Sequence, residues 1–235
     1  ISSEILVSNA IMIANRFSIP PFIIGCTIVA IGTSLPEIII SILSNIRGNS
    51  NIAVGNIIGS NIANIGLVLG VSLFFGAIHI NKDDNEYLLN VASLFILTFF
   101  FYSSLLFENI NYIHGTFFLL LYVVYFYAYF KYFKNKLKPD NNDNLDHNII
   151  LIISKLAFGF FIIYLGSNFF IDGAIGISEK LGVSNLSVGL TIVAIGTSAP
   201  ELFISINSLK KKQSMLALGN IFGSNIANIV FAAGI

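Results

Sequence analysis

The chain has 235 residues, of which 55% are hydrophobic and only 10% are charged. Its mean hydropathy of +0.84 is far higher than a soluble domain needs for its core, so we predict an integral membrane protein. The 12 basic and 12 acidic side chains cancel, so the net charge says nothing for or against a polyanionic partner. We expect no nucleic acid to bind. The single cysteine, Cys26, excludes an intrachain disulfide and is expected to be a packed thiol.

Successive apolar runs divide the chain into predicted membrane spans. Each run has about 20 residues, enough for a helix to cross a hydrocarbon core of about 30 Å, and the period-2 alternation of a membrane barrel is absent. The expected spans are residues 1–15, 21–46, 52–78, 87–107, 112–130, 149–178, 186–209 and 215–235. Because the chain opens without a methionine and stops inside an apolar run, we expect it to be a fragment of a longer protein.

A polar segment at residues 131–148 separates two halves, residues 1–130 and 149–235. It is rich in Lys, Asn and Asp and cannot bury a core, so we interpret it as a flexible linker. If the linker is cytoplasmic, alternating spans place ten of the 12 basic residues on or near the cytoplasmic side, in line with the positive-inside rule. The second span then runs outward and the seventh runs inward.

Two motifs occur once in each half. The first, GCTIVAIGTSLPE at Gly25–Glu37, returns as GLTIVAIGTSAPE at Gly189–Glu201 with two differences. The second, GNIIGSNIAN at Gly55–Asn64, returns as GNIFGSNIAN at Gly219–Asn228 with one. Both copies lie 164 residues apart, which indicates one duplicated structural unit. Because the predicted orientations are opposite, we expect inverted repeats, which in transporters place a binding site near the membrane midplane.

The first motif carries a proline, two hydroxyls and a carboxylate inside an apolar span. Pro36 lacks a backbone N–H and its ring clashes with the carbonyl of Gly32, so we expect the helix to open there and release a backbone oxygen. Thr33 and Ser34 precede Glu37 by four and three residues, a spacing that puts all three on one helix face. The second copy repeats this arrangement with Thr197, Ser198, Pro200 and Glu201. The second motif adds neutral oxygens from Ser60, Asn64, Ser224 and Asn228. Oxygen-only ligands favour hard cations such as Ca²⁺ or Na⁺.

The two glutamates are costly to bury. A carboxylate in the membrane interior is unfavourable by several kcal/mol unless it is paired. Bringing Glu37 and Glu201 together adds like-charge repulsion unless a divalent cation or protons lie between them. The pair therefore predicts cation binding, with protons as competitors. For a single copy the alternative is a kinked helix with a protonated glutamate bonded to a neighbour, but two near-identical copies in inverted halves argue against it.

Both motif pairs resemble the alpha-repeats of the cation/calcium antiporter superfamily (the sodium/calcium exchanger membrane family), and in particular its prokaryotic sodium/calcium antiporters. The resemblance covers nearly the whole chain. It implies an all-α membrane protein of two inverted repeats of five transmembrane helices each, with discontinuous helices at a central cation site formed by spans two, three, seven and eight. Spans one and six would slide across this core. The chain would then lack the start of span one and all of spans nine and ten.

The resemblance also implies a role for each motif residue. Glu37 and Glu201 would bind Ca²⁺ and share the Na⁺ sites. The other ligands would be the backbone oxygens of Thr33 and Thr197 for Ca²⁺, and the carbonyls of Ala30 and Ala194 with Ser34, Ser198, Ser60, Ser224, Asn64 and Asn228 for Na⁺. Some exchangers in the family carry aspartate at the position of Asn228. Only two carboxylates then remain here, and one Ca²⁺ or two Na⁺ would balance them, which predicts electroneutral exchange.

The sequence therefore predicts a secondary antiporter of the cell (inner) membrane, not an enzyme, that exchanges Ca²⁺ for Na⁺ by alternating access. We expect no cofactor beyond the transported ions, and the sequence is compatible with a monomer. Proton-coupled or potassium-dependent exchange at the same site stays open, as do a cation channel and a non-transporting membrane scaffold. A membrane enzyme is disfavoured because the spans contain no His-Glu-x-x-His motif or similar catalytic arrangement.

Overall fold

The computed structural model describes residues 2–46, 50–78, 85–104, 106, 112–134, 148–180 and 194–232. Most of the predicted linker, residues 135–147, lies outside the described residues, as do residues 186–193 at the predicted start of span seven.

The described residues form ten helices, numbered here in chain order. They are α1 (Ser2–Arg16), α2 (Pro21–Thr33), α3 (Leu35–Ile46), α4 (Ser50–Ala63, continued by Asn64–Leu69, Gly70–Ser72 and Leu73–Phe75), α5 (Asn85–Ser104), α6 (Tyr112–Lys134), α7 (Ile149–Lys180), α8 (Ala194–Thr197), α9 (Ala199–Lys210) and α10 (Ser214–Ala227, continued by Asn228–Ala232). The predicted all-α fold is confirmed. The boundary at the predicted linker differs, because α6 continues to Lys134 and makes the first residues of the linker helical. Long lysine side chains at a helix end can extend into water while their stems stay on apolar surface.

The two predicted interrupted spans are broken at equivalent serines. Ser34 separates α2 from α3 with φ −83° and ψ 3°, and Ser198 separates α8 from α9 with φ −82° and ψ 5°. The break bends α2 and α3 by 48°. Pro36 and Pro200 each occupy the second position of the following helix, where a missing N–H removes no hydrogen bond. The discontinuous helices expected from these prolines are confirmed.

Three π-helical turns widen the described helices near the motifs. They are Gly25–Val29 in α2, Asn64–Leu69 in α4 and Asn228–Ala232 in α10. The last two begin at asparagines that the repeat relates to each other. Such turns often occur at functional sites in helices. The sequence analysis did not predict them, since a π-turn leaves the apolar pattern of a buried helix almost unchanged.

Hydrogen bonds between α4 and α10 show that the repeats are inverted. These helices carry the two copies of the second motif. Asn64, late in α4, bonds to Asn225, and Asn228, later in α10, bonds to Asn61. The later residue of each helix therefore meets the earlier residue of the other, so the two helices run antiparallel. Equivalent helices that run in opposite directions are the mark of an inverted repeat.

α1 and α7 pack against each other beside the motif helices. Leu6 of α1 lies so close to Gly159 of α7 that a Cβ on this glycine would come within 2.7 Å of it. Leu156 and Ile204 join the same apolar cluster. α7 has 32 residues and is about 48 Å long, so it must tilt or project beyond a hydrocarbon core of about 30 Å.

The outer surface is apolar, as expected of a multi-pass membrane protein. Stretches long and apolar enough to cross a membrane are Ala53–Phe75, Ile149–Gly166, Ser214–Phe231 and the bent pair Pro21–Thr33 with Leu35–Leu43. Shorter apolar stretches occur at Val91–Ser104 and Ile113–Ala128 in α5 and α6. Large exposed apolar side chains on these two helices include Phe95, Phe99, Val123 and Val124. We interpret α5 and α6 as the lipid-facing scaffold.

Candidate cation site

Two glutamates, one from each repeat, meet inside the helix bundle. Glu37 lies in the first turn of α3 and Glu201 in the first turn of α9, directly after the two helix breaks. They are 1% and 0% exposed. Glu201 accepts a hydrogen bond from Ser34, which lies three residues before Glu37, so the two carboxyl groups belong to one site although 164 residues separate them in the chain.

The Glu201 carboxyl group accepts hydrogen bonds from two serines of other parts of the chain. Ser34, at the break between α2 and α3, donates from Oγ to Oε1 of Glu201 at 2.9 Å. Ser224 of α10 donates to the same oxygen at 3.3 Å. Oε2 accepts no hydrogen bond from the residues that the structure describes. One oxygen of this carboxyl group is therefore fixed by the protein, and the other is available to a ligand.

The Glu37 carboxyl group has fewer bonds. Neither of its oxygens accepts a hydrogen bond of normal geometry from the described part of the chain, although the Thr197 hydroxyl lies beside it. The hydroxyl oxygens of Ser60 and Ser198 are also buried and lack partners among the described residues. A buried polar group without a hydrogen bond costs about 1–3 kcal/mol. A group of them in one place therefore indicates a ligand site.

The unbonded oxygens fit a hard cation. Among the described residues, the motif atoms that are buried without a hydrogen-bond partner are Oε1 and Oε2 of Glu37, Oε2 of Glu201, Oγ of Ser60 and Ser198, and Oδ1 of Asn64 and Asn228. One further buried atom without a partner, Oγ of Ser208, lies outside the motifs. The seven motif atoms are carboxylate, hydroxyl or amide oxygens, the donor set that Ca²⁺ and Na⁺ prefer.

The Thr33 hydroxyl and the Ala30 carbonyl are hydrogen-bonded to each other. The Thr33 hydroxyl donates to the Ala30 carbonyl at 3.1 Å, and the backbone N–H of Ser34 donates to the same carbonyl at 2.9 Å. Both acceptor positions of this carbonyl are therefore occupied. The same hydroxyl has a second acceptor in Asn220 Oδ1, at 3.3 Å. In the second repeat, Thr197 is fully buried and Ala194 begins α8.

Two asparagines that the sequence analysis did not select hold the backbone at the glutamates. The amide Nδ2 of Asn56 donates to the Glu37 carbonyl at 2.9 Å, and that of Asn220 donates to the Glu201 carbonyl at 3.3 Å. Each amide also donates to the hydroxyl of the serine four residues after that glutamate. These bonds fix the first turns of α3 and α9. The available signal was a polar residue at the same place in both copies of the second motif.

Four asparagines join the repeats where α4 crosses α10. Asn61 and Asn225 each donate from Nδ2 to the other's backbone carbonyl at 3.4 Å. Asn64 Nδ2 donates to Asn225 Oδ1 at 2.9 Å, and Asn228 Nδ2 donates to Asn61 Oδ1 at 3.3 Å. Every bond from one repeat has its counterpart in the other. The sequence analysis selected Asn64 and Asn228 but missed Asn61 and Asn225.

Glycines allow the first motif of one repeat to approach the second motif of the other. A Cβ on Gly25 of α2 would lie 2.6 Å from the Leu216 carbonyl oxygen of α10. A Cβ on Gly223 would lie 2.6 Å from the Cys26 carbonyl oxygen. Backbone-to-backbone packing of this kind is typical of small residues in membrane helices. It also explains the buried position of Cys26, which is the packed thiol that the sequence predicted.

Comparison with known proteins gives relatives along the whole chain. The sequence profile described as sodium/calcium exchanger protein matches residues 1–131 and 151–235. The sodium/calcium exchanger MaX1 of Methanosarcina acetivorans is 30% identical over 272 residues, covering 99% of this chain and 77% of the relative. The membrane protein MJ0091 of Methanocaldococcus jannaschii is 36% identical over 227 residues, covering 97% of this chain and 74% of the relative.

Solved structures agree with the sequence comparison. A structure of the sodium-calcium exchanger NCX_Mj, soaked with 2.5 mM Na⁺ and 0.1 mM Ca²⁺, matches the fold with a TM-score of 0.81 at 34% sequence identity. The match covers 99% of this chain and 76% of that one. With the repeated motifs, the inverted fold and these relatives in agreement, the chain belongs to the sodium/calcium exchanger protein family.

Proposed function

We propose that the protein exchanges Ca²⁺ for Na⁺ across the membrane, by alternating access to the site between its two repeats. The observation that carries the proposal is the group of buried, unbonded oxygens around Glu37 and Glu201. Two carboxylates in one buried place need compensating positive charge. The similarity to exchangers named for sodium and calcium supports the choice of these two ions.

The two glutamates bind both kinds of ion in turn. Ca²⁺ is held by both carboxylates and by the backbone oxygens of Thr33 and Thr197. The sodium ligands are the same carboxylates with Ser34, Ser198, Ser60, Ser224, Asn64, Asn228 and the carbonyls of Ala30 and Ala194. Because the carboxylates are shared, Ca²⁺ and Na⁺ exclude each other from the site. This competition couples the entry of one ion to the exit of the other, with no catalytic group and no cofactor.

The neutral amides of Asn64 and Asn228 set the charge of the site. With Glu37 and Glu201 as its two carboxylates, the site is balanced by one Ca²⁺ or by two Na⁺. An exchange in this ratio moves no net charge across the membrane. The protein is therefore proposed to be an electroneutral exchanger.

The α1–α7 pair is the proposed moving element. The Phe160 ring of α7 lies over Gly32, so that a Cβ on this glycine would come within 2.5 Å of the ring. α7 thus covers the chain next to Thr33 on one side of the site. Sliding of the pair along the motif helices would uncover the site to one side of the membrane and cover it on the other.

The decisive experiment is ⁴⁵Ca²⁺ uptake into proteoliposomes that contain the full chain. Uptake is compared under an outward Na⁺ gradient, an outward H⁺ gradient and an outward Na⁺ gradient with added K⁺, with Glu37→Gln as control. We expect uptake with the Na⁺ gradient alone and none with the control. Uptake driven only by H⁺, or only when K⁺ is added, would replace sodium-coupled exchange by the corresponding variant. Equal Ca²⁺ flux without any counter-gradient would indicate a channel.

The proposal includes a location and a division of the chain. We place the protein in the inner cell membrane, with residues 1–130 and 149–235 as the repeats and residues 131–148 as a cytoplasmic linker. The lysines of the linker and the two ranges matched by the family profile support this division. Because one chain supplies both glutamates, the site needs no second copy.

A further inference from the structure

Asn61 and Asn225 lie where α4 crosses α10, three residues before the site asparagines Asn64 and Asn228. Each donates a hydrogen bond from its Nδ2 to the other's backbone carbonyl oxygen, at 3.4 Å in both directions. These two bonds tie the repeats together. They also fix each side-chain amide, so that its Oδ1 is presented in one direction as an acceptor.

Each of these Oδ1 atoms accepts a hydrogen bond from Asn64 or Asn228 of the opposite repeat. Asn225 Oδ1 accepts from Asn64 Nδ2 at 2.9 Å, and Asn61 Oδ1 accepts from Asn228 Nδ2 at 3.3 Å. An amide side chain has a donor end and an acceptor end, so fixing its Nδ2 also fixes its Oδ1. In both site asparagines that Oδ1 is buried and accepts no hydrogen bond from the described residues.

We infer that Asn61 and Asn225 are positioning residues for cation exchange, which hold the amides of Asn228 and Asn64 with their oxygens directed at the cation. This inference rests on the proposed function. Without the acceptor, the amide of Asn64 or Asn228 can rotate and present its NH₂ group, whose partial positive charge repels a cation. Cation affinity then falls, although neither positioning residue touches the ion.

The arrangement predicts a crossed dependence between the repeats. Asn225 of the second repeat acts through Asn64 of the first, and Asn61 of the first acts through Asn228 of the second. A role only in tying α4 to α10 would need the Nδ2-to-carbonyl bonds alone. It would not explain why the Oδ1 atoms of Asn225 and Asn61 accept hydrogen bonds from the amides of Asn64 and Asn228. Those two amides are the ones whose own Oδ1 atoms are unbonded among the described residues.

Two substitutions of similar size separate these roles. Asn225→Leu and Asn225→Asp both lose the Nδ2 donor to Asn61, but only Asp keeps an oxygen that accepts from Asn64. We measure the Ca²⁺ dissociation constant of the full chain in detergent by ⁴⁵Ca²⁺ binding. Asn225→Leu is expected to weaken binding about tenfold, the effect of one lost buried hydrogen bond, and Asn225→Asp is expected not to weaken it. Equal weakening by both variants, or by neither, overturns the inference.

A double-mutant cycle tests the crossed dependence. On an Asn64→Ala background, Asn225→Leu is expected to have almost no further effect on Ca²⁺ affinity, because the amide it orients is absent. On an Asn228→Ala background it is expected to keep its full effect. Additive effects on both backgrounds overturn the inference. The variants Asn61→Leu and Asn61→Asp, combined with Asn228→Ala, repeat the test from the other side if Asn225→Leu does not fold.

The Tm of each variant, with and without Ca²⁺, separates this inference from the proposed function. Wild-type protein whose Tm rises with Ca²⁺, together with an Asn225→Leu variant of unchanged Ca²⁺ affinity, overturns the inference alone. Wild-type protein that binds neither Ca²⁺ nor Na⁺ overturns the proposed function and this inference with it. A lowered Tm in Ca²⁺-free buffer for both Asn225 variants, with weakened Ca²⁺ binding only in the Leu variant, supports it.

Discussion

Ser34 Oγ donates a hydrogen bond to Glu201 Oε1 at 2.9 Å, so the helix break of the first repeat is bonded to the glutamate of the second. The equivalent bond from Ser198 to Glu37 is missing among the described residues, where Ser198 Oγ and both Glu37 carboxyl oxygens lack partners. The two halves thus agree in sequence and differ in bonding.

The first prediction uses this inequality. Glu37→Gln removes one of the two carboxylates that are buried together, so we expect Ca²⁺ binding to vanish and the Tm in Ca²⁺-free and Na⁺-free buffer to rise. Each kcal/mol of relieved repulsion corresponds to about 2–4 °C. Glu201→Gln is the matched control. It also abolishes binding, but we expect a smaller rise because it weakens two serine bonds. A fall in Tm for Glu37→Gln would contradict this account.

The second prediction concerns charge. Asn228→Asp adds a third carboxylate to the site, so three Na⁺ rather than two balance the site charge, and an exchange of three Na⁺ for one Ca²⁺ moves one net charge in each cycle. We expect uptake by wild-type proteoliposomes to be insensitive to a membrane potential imposed with K⁺ and valinomycin, and uptake by the variant to depend on it. Asn64→Asp, the equivalent change in the first repeat, is expected to act in the same way. Clear voltage dependence of the wild-type rate would refute the charge count.

The third prediction concerns the contact between α2 and α10. Gly219→Ala places a methyl group against the Phe22 carbonyl oxygen and close to Gly25, so we expect it to destabilise the protein by about 1–3 kcal/mol and to lower transport. Gly166→Ala on α7 is the control, since a Cβ there meets no described atom within 4 Å. Its Tm should be unchanged or slightly raised, because alanine favours a helix over glycine by about 1 kcal/mol. Equal Tm values for the two variants would argue against the close packing.

The fourth prediction concerns pH. A proton on Glu37 or Glu201 removes a charge that Ca²⁺ needs, so lowering the pH should raise the apparent KM for Ca²⁺. The maximal rate at saturating Ca²⁺ should stay nearly the same, because Ca²⁺ displaces the protons. The measurement is Na⁺-driven ⁴⁵Ca²⁺ uptake with equal pH on both sides of the membrane. A lower maximal rate at unchanged KM would mean that protons act elsewhere.

Much of the fold could be predicted from the sequence because the repeat carried the information. The offset of 164 residues predicted two equivalent halves, the placement of the basic residues predicted that they are inverted, and the prolines at 36 and 200 predicted broken helices; the structure confirms the inversion and the breaks. The two glutamates could be selected because a carboxylate inside an apolar span needs a partner. Both follow from local chemistry that is visible in the chain itself.

The supporting residues could not be predicted in the same way. Asn56 and Asn220 hold carbonyls 19 residues earlier in the chain, and Asn61 and Asn225 hold each other across the repeats. Their partners are set by how α4 packs on α3, α10 on α9 and α4 on α10, and the local sequence pattern does not specify this packing. The π-turns at Asn64 and Asn228 could not be predicted either. One extra residue in a turn leaves no visible break in a sequence that is apolar on all sides of the helix.

The bonds from Asn64 to Asn225 and from Asn228 to Asn61 have the form of an isologous interface, in which residue i of one subunit contacts residue j of its partner and j contacts i. Here both subunits are parts of one chain. The geometry is that of a homodimer whose two copies have opposite orientations in the membrane. In a fused dimer of this kind, no single sequence has to insert into the membrane in both orientations. The sequence of each half can then change independently of the other.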